Sequence, residues 1–179
     1  MRKVIILSCS LLPIVVFASN DSKSLGVEYA PNSNTVGVYF QNLKLNELGF
    51  GMSIGLGFQP KGDYYSFSEQ FGHDVGDDFK GYVDNVDVYL SPFATYGISS
   101  SWGLTIGATL ASQTTYAEFY DKYHILGYRG HYYVEADKQN NSKLGYGANI
   151  GVTYTLSKIN FQIKYDTLLG SNIGIGYVF

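Results

Sequence analysis

The sequence predicts an all-β protein, an eight-stranded antiparallel up-and-down transmembrane β-barrel. Apolar residues alternate with small or polar ones at a period of two through most of the chain, which is typical of strands. Charged residues make up only 15% of the chain, against about 25% in an ordinary soluble domain. The 21 glycines disfavour a helical domain, because each interior glycine costs a helix about 1 kcal/mol.

The N-terminus has the pattern of a secretory signal peptide. Arg2 and Lys3 form a positively charged start, and an apolar stretch then leads to a small-residue cleavage site at Ala18. We therefore expect residues 1–18 to be removed during export through the Sec pathway. Residues 19–179 are then expected to form a single barrel domain.

The alternation divides the mature chain into eight strands. Their predicted bounds are Ser24–Ala30, Thr35–Leu43, Leu48–Gln59, Val83–Gly97, Trp102–Thr115, Leu144–Leu156, Ile159–Asp166 and Asn172–Phe179. Tight polar links join strands at one end of the sheet, at 44–47, 98–101 and 157–158. At the other end, two of the four links are long, 60–82 and 116–143. Such a series of neighbouring strands closes into an up-and-down barrel.

The face opposite the apolar one is poorly suited to water. It carries fourteen glycines, at positions 26, 37, 49, 51, 55, 57, 97, 103, 107, 145, 147, 151, 174 and 176. Glycine on a solvated strand face covers nothing and weakens the strand, whereas small side chains fit the inside of a narrow barrel. We therefore expect the apolar face to meet lipid and the small and polar face to line the lumen.

Polar residues on the same face predict a network inside the barrel. Its expected members are Glu28, Gln41, Asp87, Asn149, Asn160, Gln162, Lys164 and Asp166. An isolated charge would be costly there, so Glu28 and Lys164 are expected to pair directly or through water. The network is either a structural plug of ion pairs and hydrogen bonds, or part of a gate or proton path.

Outward-facing aromatic residues gather near both ends of the predicted strands. The candidates for the membrane interfaces are Tyr29, Tyr96, Trp102, Tyr154, Tyr165, Tyr177 and Phe179. Aromatic girdles at the two lipid–water interfaces are typical of transmembrane barrels. Strands of about 9–11 tilted residues are long enough to cross a bilayer.

The chain ends on Phe179, preceded at alternating positions by Ile173, Ile175 and Tyr177. This ending resembles the signal that bacterial outer-membrane barrels present to the barrel-assembly machinery. The pattern of the mature chain resembles the small eight-stranded family of outer-membrane protein X, the attachment-invasion barrels and the opacity-type adhesins. The resemblance implies a monomer in the bacterial outer membrane, in contact with its lipid and lipopolysaccharide. Many activities share this scaffold, so the resemblance does not select one of them.

The tyrosine-rich link 116–143 is the predicted partner-binding segment. Its candidate contact residues are Tyr120, Tyr123, His124, Tyr128, Arg129, His131, Tyr132 and Tyr133. Tyrosine and arginine are enriched in protein interfaces, so the link is a candidate surface for an extracellular protein or another surface ligand. Alternatively, it extends two strands beyond the membrane, and its aromatic residues pack on each other. Both interpretations can hold together.

The other long link, 60–82, is acidic. Four of its residues carry groups suited to a divalent cation, namely His73, Asp74, Asp77 and Asp78. Their spacing matches no defined loop motif, so a solvated surface loop is the favoured interpretation. We predict neither a metal nor another cofactor. The formal net charge of -3, without a basic block, argues against a nucleic-acid partner.

These observations favour a non-enzymatic surface protein that acts in envelope structure, adhesion or resistance through its long links. Two alternatives stay open, a narrow porin-like channel and a lipid A-modifying enzyme. Lipid A deacylase barrels resemble this chain in size and carry a serine two residues after a catalytic histidine. None of His73, His124 and His131 is followed by serine at that spacing. We therefore predict no catalytic residue.

Overall fold

The computed structural model describes residues 22–58, 63–123, 130–136 and 142–179. The described elements are β1 (Ser22–Ala30), β2 (Thr35–Leu43), β3 (Leu48–Gly57), β4 (Asp63–Tyr64), α1 (Glu69–Asp74), β5 (Asp78–Gly97), β6 (Trp102–Tyr120), β7 (His131–Glu135), β8 (Ser142–Leu156), β9 (Ile159–Asp166) and β10 (Gly170–Val178). The predicted signal peptide lies outside the described residues. No helix in the described part of the chain is long and apolar enough to cross a membrane.

Eight of these strands form a closed antiparallel barrel. The order around it is β1, β2, β3, β5, β6, β8, β9 and β10. Pairing of β1 with β10 closes the sheet on itself, and β6 pairs with β8 across the long link. The predicted fold class is therefore confirmed. The predicted bounds of β2 and β9 agree with the structure residue for residue.

The barrel is apolar outside and polar inside. Along β9, Ile159, Phe161 and Ile163 are exposed while the residues between them are buried. The other strands of the barrel repeat this alternation, so a continuous apolar band surrounds it. A band of this extent is not stable in water, and it is the outer surface of a transmembrane barrel.

Inward-facing glycines make room for three aromatic rings in the lumen. A Cβ atom at Gly26 would lie 2.6 Å from the ring of Tyr39, and one at Gly37 would lie 3.0 Å from the ring of Tyr89. A Cβ atom at Gly51 would overlap the ring of Phe93. The three rings are 1%, 1% and 3% exposed. The glycine face therefore does not line an empty tube, because it packs against aromatic side chains from other strands.

Strands β5 and β6 project far beyond the rest of the barrel. They contain 20 and 19 residues, whereas β1, β2 and β10 contain 9 each. Beyond the end of β8, β7 takes its place beside β6, and β4 pairs with β7 in parallel. The predicted links were therefore too long, since residues 78–82 and 116–120 belong to strands. Alternation does not mark these extensions because both of their faces carry aromatic or charged residues.

A β-bulge in β5 changes which residues face the lumen. The register shifts between Val86 and Val88, so that Val86 and Tyr89 are both buried in one cluster. Asp87 is half-buried, and its carboxylate accepts a hydrogen bond from the Thr114 hydroxyl at 2.8 Å. Asp87 therefore lies at the bulge and not in the predicted lumen network. The prediction relied on strict alternation, which one extra residue interrupts here.

Candidate functional site

A buried ion pair lies inside the barrel. Lys164 Nζ is 2.8 Å from Glu28 Oε2, and the two side chains are 3% and 0% exposed. The Tyr89 hydroxyl donates to Glu28 Oε1 at 2.7 Å, and Lys164 donates to the Ser53 hydroxyl at 3.0 Å. Lys164 Nζ also lies 4.7 Å from the centre of the Phe93 ring. Each charge therefore has the compensating partners that burial demands.

An amide network occupies the interior near the tight turns. Gln41 Nε2 donates to Thr153 Oγ1 and Asn160 Oδ1, both at 3.0 Å. Gln162 donates to Gln41 Oε1 at 3.0 Å, and the Tyr39 hydroxyl donates to Asn160 Oδ1 at 2.9 Å. These bonds link β2, β8 and β9 across the lumen. Because the amides bond to each other, they plug this end of the barrel.

A third polar layer lies towards the opposite end. The Asp166 carboxylate accepts hydrogen bonds from the Thr109 hydroxyl and from the backbone N–H of Leu168, the latter at 2.7 Å. Asn149 Nδ2 donates to Ser91 Oγ at 3.0 Å and to Thr109 Oγ1 at 3.3 Å. This layer joins β5, β6, β8 and β9, and it holds the turn that follows β9.

The three layers place seven of the eight predicted network residues in the interior: Glu28, Gln41, Asn149, Asn160, Gln162, Lys164 and Asp166. The predicted network left out the residues that complete the plug, which are Tyr39, Ser53, Tyr89, Ser91, Phe93, Thr109 and Thr153. The clustered glycines opposite Tyr39 and Tyr89 were the available indication. Together the rings and polar layers favour a structural plug over a gate or a porin-like channel.

The filled lumen predicts that the protein does not conduct ions. We expect no discrete current steps from the purified protein in a planar lipid bilayer. A double variant, Tyr89→Ala with Phe93→Ala, removes two interior rings and should produce measurable steps or leak. The lipid-facing variant Tyr146→Ala removes a ring without opening the lumen, so it should stay silent. Discrete steps from the unmodified protein would show that the plug moves.

Above the barrel, the long links fold into an outer subdomain, which comprises the described residues 63–84, 116–123 and 130–136 and includes β4, α1 and β7. Its core consists of Ala117, Phe119, Tyr132 and Val134. Helix α1 lies against this core, because a Cβ atom at Gly72 would be 2.8 Å from the Phe119 ring. The ring centroids of His73 and Phe119 are 5.1 Å apart. The link aromatics thus pack on each other, as one of the two interpretations expected.

Tyr132 belongs to this core and not to a contact surface. It is 1% exposed, and its ring stacks on that of Phe119 with centroids 5.6 Å apart. Its hydroxyl donates to Asp77 Oδ2 at 2.8 Å. Burial, together with the Asp77 carboxylate, raises the pKa of Tyr132, so the hydroxyl remains a donor. The predicted contact role of Tyr132 is therefore corrected, because alternation along β7 turns its ring towards the core.

The other candidates in the tyrosine-rich link differ in accessibility. Tyr123 is 59% exposed, while Tyr120 and Tyr133 are half-buried. His131 is exposed, and its Nδ1 lies 2.6 Å from Glu118 Oε1. His124, Tyr128 and Arg129 lie outside the described residues. The surface that remains for a partner therefore includes Tyr123 and His131.

The residues considered for a divalent cation do not converge. Each has a different polar partner in the structure: Glu69 for His73, Gln70 for Asp74, Tyr132 for Asp77 and Lys80 for Asp78. Among the described residues, no group of three or more histidine, cysteine, aspartate or glutamate side chains is placed to hold a metal ion.

The candidate interface aromatics lie on the outer surface. Tyr29, Tyr96, Trp102, Tyr165, Tyr177 and Phe179 are exposed. Tyr154 is half-buried, because its ring packs on Trp102 with centroids 4.6 Å apart. The candidate assembly residues Ile173, Ile175, Tyr177 and Phe179 are each at least 51% exposed, so they present one apolar stripe to lipid.

The comparisons with known proteins show similarity of fold only. Neither a protein-family model nor a curated protein matches the chain. Among solved structures, Ail, the attachment invasion locus protein of Yersinia pestis, is 15% identical, with 89% of this chain and 97% of that chain covered and a TM-score of 0.41. The same protein in complex with the heparin analogue sucrose octasulfate is 16% identical, with the same coverage and a TM-score of 0.43. A transmembrane β-barrel designed de novo is 13% identical, with 91% and 98% covered and a TM-score of 0.43.

Proposed function

We propose that this chain is a non-enzymatic protein of the bacterial outer membrane that presents its outer subdomain to an extracellular partner, in adhesion or resistance. The observation that carries the proposal is the contrast between the two parts of the molecule. The lumen is filled by aromatic rings and a buried ion pair, whereas the outer subdomain is a folded structure raised above the lipid-facing band. The continuous apolar band on the outside of the barrel supports a membrane location.

The outer subdomain offers the kind of surface that binds proteins. Phe67, Tyr82 and Tyr123 are 40%, 44% and 59% exposed, and charged side chains lie among them. Lys122 Nζ, for example, lies 5.6 Å from the centre of the Tyr123 ring. Aromatic residues beside charged ones are common at binding hot spots. Because the sheet and helix beneath hold the backbone, less conformational entropy is lost when a partner binds.

The structure shows how to remove this subdomain and keep the barrel. Asn85 Nδ2 donates to the carbonyl oxygen of Phe58 at 2.9 Å, so the two chain positions are adjacent. Thr114 and Ser142 are paired neighbours on β6 and β8. A variant in which short turns replace residues 59–83 and 116–141 should therefore still close as a barrel.

We expect bacteria that express the full chain to attach to host cells or survive serum better than bacteria with the trimmed barrel. The trimmed protein should match the empty-vector strain, while its heat-modifiable gel migration shows a folded barrel. The variant Leu56→Ala on the lipid-facing surface is the control and should behave as the full chain. Lipid A from all strains should give the same mass spectrum, which tests the alternative of a lipid A-modifying enzyme. Equal attachment and survival with and without the subdomain would refute the proposal.

A further inference from the structure

A polar cleft lies at the outer rim of the barrel, between two low turns and the projecting wall of β5 and β6. It consists of two cavities of about 310 and 210 Å³ that share Asn32, Ser33 and Asp84. The turns at 31–34 and 167–169 form its low side. The larger cavity has the volume of a small-molecule site, which is typically about 300–1,000 Å³.

The low side of the cleft is held in place by its own hydrogen bonds. Asp166 fixes the turn after β9 through the backbone N–H of Leu168 at 2.7 Å, and the Asn32 side-chain oxygen accepts from the backbone N–H of Ser171 at 3.2 Å. Gly170 adopts a φ of 79°, and a Cβ atom there would lie 2.6 Å from Asn32 Cβ. The two turns therefore form one rigid surface that a ligand would find already organised.

The charges in the cleft are already compensated. Asp84 Oδ2 lies 2.5 Å from Lys143 Nζ, and its Oδ1 accepts a hydrogen bond from Thr115 at 2.7 Å. Asp166 is bonded to Thr109 and to the backbone of the turn. No lysine or arginine is among the described residues that line either cavity. An anion would find Lys143 already paired with Asp84, and a cation would find both carboxylates engaged, so the lining favours a neutral ligand.

One polar side chain in the cleft lacks a partner. Gln113 lines the larger cavity and is 8% exposed, yet its amide has no hydrogen-bond partner in the described part of the chain. A primary amide that opens onto a cavity offers two donors and an acceptor to water or to a ligand. Tyr133 lines the smaller cavity and supplies aromatic surface beside the polar groups.

We propose that this cleft binds a neutral saccharide. Adjacent ring hydroxyls both donate and accept hydrogen bonds, which matches Gln113 and the neighbouring amides and hydroxyls, and the Tyr133 ring suits the apolar C–H face of a sugar. The inference does not rest on the presentation role of the outer subdomain. The sugar could belong to a glycan on another cell or to lipopolysaccharide around the barrel, and the chemistry of recognition is the same for both.

Saturation-transfer NMR on the full chain in detergent micelles tests the proposal, with glucose, galactose and N-acetylglucosamine as neutral probes. At least one should bind, and glucuronate and glucosamine should bind more weakly. Gln113→Leu removes the amide but keeps most of the side-chain volume, so it should weaken binding about five- to tenfold. The same substitution on the exposed surface of α1, Gln70→Leu, is the matched control and should leave binding unchanged.

A second variant, Ser33→Ala, tests the cleft independently if Gln113→Leu fails to fold, as judged by heat-modifiable migration. Repeating the NMR binding measurement in nanodiscs with and without lipopolysaccharide distinguishes the source of the sugar. If lipopolysaccharide fills the cleft, it should compete with the probe and weaken probe binding. Absence of binding by every neutral probe would overturn the proposal. So would a preference for glucuronate, or equal binding by the folded Gln113→Leu and Gln70→Leu variants.

Discussion

The variant Lys164→Met is expected to destabilise the barrel by about 3–5 kcal/mol, because it leaves the carboxylate of Glu28 buried without its partner. The two charged atoms lie 2.8 Å apart in an almost inaccessible interior. The retained hydrogen bond from Tyr89 compensates only part of the lost attraction. Urea unfolding in lipid vesicles, followed by the gel migration of folded and unfolded forms, measures the difference.

Two further variants test whether the loss of stability comes from breaking the ion pair between Glu28 and Lys164. The double variant Glu28→Gln with Lys164→Met removes both charges and should recover much of the lost stability, since neutral replacements of a buried pair are often tolerated. Lys158→Met is the matched control, because Lys158 lies in an exposed tight turn and should change stability little. If Lys164→Met were no more destabilising than this control, the pair would contribute nothing to folding.

The variant Ile106→Arg is expected to cost about 2–4 kcal/mol of folding free energy in a bilayer, the cost of a cationic side chain near the membrane midplane. Ile106 is 65% exposed in the middle of the apolar band and pairs with Ala94 and Ile150 on its two neighbours. The same unfolding assay in vesicles measures the change.

The control for this prediction is Ile98→Arg. Ile98 is 55% exposed but lies in a tight turn at the end of the barrel, where arginine reaches water and headgroups at a cost of about 0–1 kcal/mol. In a soluble barrel both substitutions would be mild, because both sites would be solvated. Equal and small effects would therefore contradict the transmembrane orientation of the apolar face.

Much of the barrel could be predicted from the sequence, because the alternation that marks a strand also states which side chains face lipid. β2 and β9 show this, since their bounds follow directly from it. The prediction failed where the period of two was interrupted. One extra residue near Asp87 shifts the facing of the part of β5 that precedes it, while the residues from Tyr89 onward keep the predicted alternation. Neither composition nor spacing in the sequence indicates that insertion.

The interior and the outer subdomain were less predictable for a different reason. That Glu28 and Lys164 share the lumen follows from alternation, but the approach of Lys164 to Ser53 depends on how the strands are staggered across the barrel. Tyr132 looked like an interface residue because its link is rich in tyrosine. A link that is long enough to build its own core buries some of its aromatic side chains there. The sequence alone does not show which of them are buried.

The seam between the first and last strands has a consequence for how the chain is assembled. Gly26 of β1 is paired with Gly176 of β10, so backbone alone meets backbone there. The ring that covers both glycines is Tyr39 of β2, since Cβ atoms at these two positions would lie 2.6 and 2.7 Å from its atoms. Pairing of β1 with β10 therefore brings both seam glycines under the Tyr39 ring, so the lumen beside the seam is filled wherever the barrel is closed.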